Sequence, residues 1–254
     1  MNMKLLAGVC AAAACALGAG QAMADPSGTL GVDYNYTTAP GASGHIDDWG
    51  VSGNIAAPIT SNLTVQGDAA YDGFNETGGS NFHTDYISGT GFWQGAKARI
   101  GLTAGYNQLG ASGFSFNYEN YGAFGELYAT NQLTFGIKGG GLTASGLHAT
   151  YFGGEIVGYA MPNLALTGTY DYLGVSGGHI NAYGANVEYL LSSTTPISIT
   201  GGYTYTDAGS GFHLNTWMIG AKFYFGGKGT TLVDHQRSGA ESWGNKATGL
   251  AFLF

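Results

Sequence analysis

The chain has 254 residues, 46 of them Gly, with 9% charged and 13% aromatic residues. Sixteen acidic residues stand against eight basic ones, a formal net charge of −8. That balance argues against nucleic-acid binding, which asks for a basic patch or stripe, and so little charge on so aromatic a chain argues against an ordinary soluble surface.

The first segment reads as a secretory signal. Lys4 supplies the positive start, Leu5 to Ala19 the apolar run and Ala22-Met23-Ala24 a small-x-small cleavage site, predicting a signal peptide over residues 1–24 and a mature chain from Asp25. Both cysteines, Cys10 and Cys15, fall inside it, so neither disulfide nor thiolate chemistry is expected afterwards. No later stretch approaches the roughly 18 apolar residues of a membrane helix.

From there the chain repeats. Alternating segments start at Leu30, Leu63, Ile100, Leu133, Leu164 and Ile197, by subtraction 33, 37, 33, 31 and 33 residues apart. A period of that size marks a recurring supersecondary unit, and its length suits two strands of about ten residues, a short turn and a longer loop. In the first unit Leu30, Val32, Tyr34 and Tyr36 share one face, with Gly31, Asp33 and Asn35 on the other. Leu63, Val65, Gly67, Ala69 and Tyr71 alternate with Thr64, Gln66, Asp68 and Ala70, and the starts at Ile100, Leu164 and Ile197 behave alike. Aromatics gather late in most of these strands, where an interfacial girdle belongs.

Return strands are expected at about Trp49 to Ala56, Tyr86 to Trp93, Tyr121 to Ala129, Thr150 to Tyr159, Tyr183 to Leu190 and Thr216 to Phe225. Tight links such as Gly95-Ala96-Lys97, Thr130-Asn131-Gln132 and Met161-Pro162-Asn163 carry turn chemistry. The other connections, including Thr38 to Asp48, Gly73 to Asp85 and Gln108 to Asn117, are expected to be longer, Gly/Ser-rich loops. Apolar and hydrated faces on one strand call for lipid outside and water or polar packing inside. In lipid only a closed barrel leaves no strand edge unpaired. The expectation is an all-β, closed antiparallel transmembrane β-barrel of 12 strands over residues 25–225, both ends periplasmic, in a bacterial outer membrane. Residues 226–254 form a tail, either a periplasmic appendage or a source of extra strands ending at Phe254.

A resemblance enters at Lys222-Phe223-Tyr224-Phe225-Gly226-Gly227, followed by Thr231-Leu232-Val233 and Arg237. This segment resembles the end of small porin-type outer-membrane β-barrel proteins of proteobacteria, in which an aromatic closing strand runs into Gly-Gly and a short charged tail. The resemblance implies an architecture and not a solute. The tail here is longer than that pattern.

By alternation, charged residues expected in the lumen are Asp33, Asp68, Glu126, Glu155, Asp171 and Glu188 against Arg99, Lys138 and Lys222, a modest bias towards cations. These charges either line a pore or pair and plug it. Lys138 is a candidate partner for Glu126, and Lys222 for Asp33. Twelve strands lie between the filled eight-stranded barrel and the open channel of sixteen, and the mostly small inner residues favour a narrow pore. The expected long loops hold Asp47, Asp48, Glu76, Asp85 and Asp207 and no Lys or Arg, an acidic mouth acting over roughly 8–10 Å. His45, His83, His148, His179 and His213 sit at strand tops or loops, weak candidates for a divalent-metal rim because no ligand spacing links them. Gly174-Val175-Ser176-Gly177-Gly178 spells Gly-x-Ser-x-Gly, but that motif has meaning only on a strand-to-helix turn.

The sequence therefore points to a porin-like channel for passive diffusion of small hydrophilic solutes with modest cation preference, and not to an enzyme. No cofactor or metal is expected. The partners are outer-membrane lipid and lipopolysaccharide, the solutes and the barrel-assembly machinery. The alternative is a non-conducting structural or surface-interaction barrel.

Overall fold

The computed structural model describes residues 26–41, 43–76, 81–111, 113–144, 146–192, 196–209, 211–227 and 229–238. The strands are β1 (Ser27–Thr38), β2 (His45–Pro58), β3 (Leu63–Glu76), β4 (Phe82–Gln94), β5 (Ala98–Ala111), β6 (Phe114–Thr130), β7 (Leu133–Ala144), β8 (Leu147–Met161), β9 (Leu164–Val175), β10 (Gly178–Leu190), β11 (Ile197–Asp207) and β12 (His213–Gly226). Each pairs antiparallel with its sequence neighbours, and β12 closes on β1 from Ser27↔Gly226 to Thr38↔Asn215.

Alternation sorts the side chains as lipid and water would. Leu102 and Ile137 on the outside are each 69% exposed, whereas Gln66 and Asp68 on the inside are each 4% exposed. Such a distribution is inverted with respect to a water-soluble protein and suits a barrel with hydrocarbon around it. Trp49 against Tyr71 and Tyr203 against Trp217 (ring centroids 5.4 and 4.7 Å) form parts of an aromatic belt near the end opposite the termini. We call the end that carries Ser27 and Gly226 the inner end and the opposite one the outer end.

The expected asymmetry of short turns and long loops is not present. The β5–β6, β7–β8 and β9–β10 hairpins are as tight as the inner links, with β5 ending at Ala111 and β6 starting at Phe114. Segments read as loops are paired strand, with Asp48 opposite Asn35, Gln108 opposite Asn117 and Gly141 opposite Thr150. The reason is physical. Above the hydrocarbon a strand needs only its backbone ladder, so the apolar alternation stops before the strand does. The strands run 11 to 17 residues, past the roughly 9–11 that cross the bilayer.

Beyond β12 the chain turns back. Gly226 and Gly227 both take positive φ, 65° and 68°, a conformation glycine adopts without steric cost. A Cβ at Gly226 would collide with the carbonyl of Pro26. A helix follows, α1 (Leu232–Ser238). Its start is a reciprocal cap: Thr231 Oγ1 accepts from the Asp234 N–H at 3.2 Å, and Asp234 Oδ2 accepts from the Thr231 N–H at 3.2 Å. The residues read as a signal peptide, 1–24, and the stretch that ends at Phe254 lie outside the described residues.

Candidate channel lumen

The barrel encloses a cavity of about 460 Å³. Towards the outer end it is lined by Asp33, Asn35, Asp72 and Thr84, at mid-height by Lys138, Glu155 and Asp171, and towards the inner end by Glu188, Tyr159, Tyr224 and α1 residues Gln236 and Arg237.

The outer part is built on three adjacent strands. Asp33 on β1 lies opposite Gly50 on β2, which lies opposite Asp72 on β3. Gly50 leaves the gap that both carboxylates occupy, because a Cβ there would stand 2.6 Å from Asp72 Oδ1 and 2.9 Å from Asp33 Oδ1. Asp48, two residues along β2 on the same face, completes a cluster whose carboxylate atoms lie within 4.8 Å of one another. Asn35 Nδ2 donates to Asp33 Oδ2 at 2.8 Å and to Asp48 Oδ2 at 2.9 Å, and Thr84 Oγ1 donates to Asp72 Oδ2 at 3.1 Å. Neutral donors hold these three acids, and none of them forms a salt bridge among the described residues.

At mid-height Lys138 pairs with Asp171 across β7 to β9, Nζ to Oδ1 at 2.6 Å. Asp68 is held against the wall by Gln66 Nε2 (2.7 Å) and Ser88 Oγ (3.1 Å). Nearer the inner end the Arg99 Nε and Nη2 groups both donate to Glu126 Oε2, at 3.0 and 2.7 Å, with both side chains almost wholly buried. Lys222 donates to Glu188 Oε2 at 3.0 Å, and Ser198 and Tyr224 hydroxyls donate to Glu188 Oε1. The structure thus places Asp33, Glu126, Lys138, Glu155, Asp171, Glu188 and Lys222 on the cavity, with Asp68 and Arg99 packed into its wall. The partner choices differ from the sequence expectation. The close ion pairs are Lys138 with Asp171 and Lys222 with Glu188, while Arg99, directly opposite Glu126 in the β5–β6 register, pairs with that acid.

The inner mouth is crossed by α1. Leu232 is fully buried against Val157, Tyr159, Ala165, Leu190 and Tyr224, and its N–H donates to the Pro162 carbonyl at 2.8 Å. At the far end of the helix, Arg237 Nη2 donates to the carbonyls of Thr130 (2.6 Å) and Leu133 (3.1 Å) and to Thr134 Oγ1 (3.0 Å). The same guanidinium lies over the Tyr128 and Tyr159 rings, 4.9 and 5.5 Å from their centroids. Register shifts at Tyr128/Thr130 and at Tyr159/Met161 fall beside these two tyrosines, and such bulges re-aim side chains. Tyr159 donates to Gln236 Oε1 at 2.7 Å, His235 stacks on Tyr224 at 4.5 Å, and Arg99 and Gln94 donate to the Gln236 and Arg237 carbonyls.

Four of the rim histidines pack separately against tyrosines, His83 on Tyr71 and His179 on Tyr172 stacked, His45 on Tyr36 and His213 on Tyr205 tilted, while His148 is exposed on β8. The structure does not bring them together. Ser176 and Gly177 form the β9–β10 turn between two strands, so the Gly-x-Ser-x-Gly stretch lacks the strand-to-helix setting the motif needs. Sequence reasoning placed Asp48 in a loop and passed over Asp72, the inward tyrosines and α1. Extending the β3 alternation by one inward step past Ala70 reaches Asp72, and Thr231-x-x-Asp234 was a readable cap.

No protein-family model and no curated protein matches this chain. Solved structures do. It is similar to the translocator domain of the autotransporter NalP from Neisseria meningitidis (TM-score 0.51, 13% identity, 87% of this chain and 95% of that one). It is also similar to the KdgM porin, solved in complex with disordered oligogalacturonate (0.51, 10%, 77% and 99%). An outer-membrane channel from Pseudomonas putida F1 gives 0.53 at 9% identity over 81% and 97%. The likeness establishes the fold. It is that of bacterial outer-membrane β-barrels, porins and channels among them, and the apolar belt agrees with that membrane.

Proposed function

We propose that this protein is an outer-membrane channel for passive diffusion of small hydrophilic solutes, with a preference for cations, and that it catalyses no reaction. The observation that carries the reading is the Asp33–Asp48–Asp72 cluster beside a cavity lined largely by polar side chains. Arg99, Lys138 and Lys222 each sit with a different acid, and the three clustered carboxylates have no basic partner among the described residues, an acidic patch at the outer half of the path. Acidic rings favour cation entry. The neighbours include both channels and a translocator domain, so the channel role rests on this lumen and not on likeness alone. Outer-membrane lipid and lipopolysaccharide are its proposed surroundings, and the barrel-assembly machinery its route of insertion.

A second reading, a non-conducting barrel, draws on α1 crossing the inner mouth. Planar-bilayer recording of the refolded mature chain in a KCl gradient separates the two. The channel reading expects discrete open levels and a reversal potential displaced towards that of K⁺. Lasting silence, or reversal on the chloride side, overturns it.

A further inference from the structure

We propose that α1 is a reversible gate: docked, it bars the inner mouth, and released, it joins the chamber to the compartment beyond. The inference rests on the channel reading and adds its regulation.

Four observations carry it. The first is position. The cavity ends on Gln236 and Arg237, so α1 is part of the wall between chamber and exterior. From β12 the chain passes the β8–β9 turn at Pro162 and reaches the β6–β7 turn at Thr130 and the β4–β5 turn near Gln94. In a closed ring ordered β1 to β12, that path runs most of the way across the mouth.

The second is independence. β12 pairs with β1 along the whole of β1, so the barrel is complete before α1 begins. Releasing the helix breaks no strand pairing. The third is the character of the attachment. Its two main holds are an apolar anchor, Leu232, and a cationic latch, Arg237, whose acceptors are two carbonyls, a hydroxyl and two tyrosine faces, with further contacts from the His235–Tyr224 stack, from Tyr159 to Gln236 and from Arg99 and Gln94 to the Gln236 and Arg237 carbonyls. No carboxylate is seen pairing with that guanidinium among the described residues. A seven-residue helix is well below the ~12–15 residues at which an isolated helix becomes even marginal in water, so release and unwinding go together.

The fourth is a built hinge. Gly226 and Gly227, both at positive φ, join β12 to the segment that docks.

The test compares three full-length mature proteins in planar bilayers. One is wild type. One is unlatched by Arg237→Ala with Leu232→Ser. One carries Pro162→Cys and Val233→Cys joined by a short bifunctional thiol reagent that a reductant cleaves, in a mature chain expected to hold no other cysteine. Circular dichroism confirms the barrel in each, and mass spectrometry confirms the link. The gate predicts brief openings in wild type, an open-state occupancy at least about tenfold higher in the unlatched variant from loss of the cation–π and charged hydrogen bonds, and silence in the linked protein that reductant reverses. Equal, steady conductance in all three overturns the gate and leaves the channel reading standing. Silence in all three removes the channel reading and the gate with it.

Discussion

The outer and inner halves of the lumen use the same residue types in opposite ways. Towards the outer end three carboxylates crowd together on neutral donors. Towards the inner end Glu126 and Glu188 are each matched to a base, ringed by tyrosines and capped by a helix. Clustered like charges give up stability and create a field for ions. Paired charges under a plug do the reverse. The contrast separates selection from closure, and each side can be changed without the other.

The largest effect is expected at Arg99. Removing one partner of a buried ion pair strands the other, at about 3–5 kcal/mol, so Arg99→Ala should lower the urea midpoint in detergent steeply. Arg99→Met with Glu126→Leu should recover most of that loss. Lys222→Met is the control. Its side chain is 43% exposed, and Ser198 and Tyr224 still serve the buried Glu188, so the loss is expected to be clearly smaller than at Arg99. Equal losses at both sites would erase the distinction between a structural pair and a lumenal one.

Neutralising the outer cluster should do the opposite. Asp72→Asn keeps the side-chain shape and an acceptor for Thr84 while removing one of three like charges. Stability is expected to hold or rise slightly. The cation-to-anion permeability ratio should fall up to about fivefold, since losing a unit charge through a water-like dielectric disfavours a passing cation and favours a passing anion by roughly 0.5 kcal/mol each. Reversal potential in a KCl gradient reads this directly. An unchanged ratio would place the selecting charge elsewhere.

Much of the barrel was legible in the sequence because the membrane forces it. Hydrocarbon outside and water inside impose period two, and the six segment starts from Leu30 to Ile197 carry it openly. Four of the six starts coincide with strand starts, at Leu63, Leu133, Leu164 and Ile197. What the pattern hid lies where that solvent contrast fades. Above the bilayer, Asp47, Asp48 and Asp85 read as loop although they are strand. Inside, tyrosines belong to both faces. Tyr71 is outward, but Tyr86 and Tyr151 turn inward and are buried, and apolarity alone does not separate the two sets. Partner choice depends on register across strands, which no single segment encodes. The helix was missed because its seven residues are held by tertiary contacts, with only the Thr231/Asp234 cap as a local sign.

The smallest effect should be the one of pH on closure. His235 is buried on α1, stacked on Tyr224, and its Nε2 has no hydrogen-bond partner among the described residues. Burial holds this imidazole below the ordinary 6.5, with Asp234 and Glu188 opposing the shift. The groups acting on it are Tyr224 on β12, Asp234 on α1 and Glu188 on β10, the last itself paired with Lys222. The docked state therefore binds a proton less readily than the released state, so docking keeps its full stability above the ordinary value and loses part of it as pH falls below. Open-state occupancy should rise modestly on acidification, because the two acids offset part of the burial. His235→Phe keeps a ring on Tyr224 and removes the proton site, and it should flatten the dependence while leaving occupancy at neutral pH close to wild type. If the slope survives that substitution, the acid sensitivity belongs to the outer carboxylates, and the division between a selecting half and a closing half gives way.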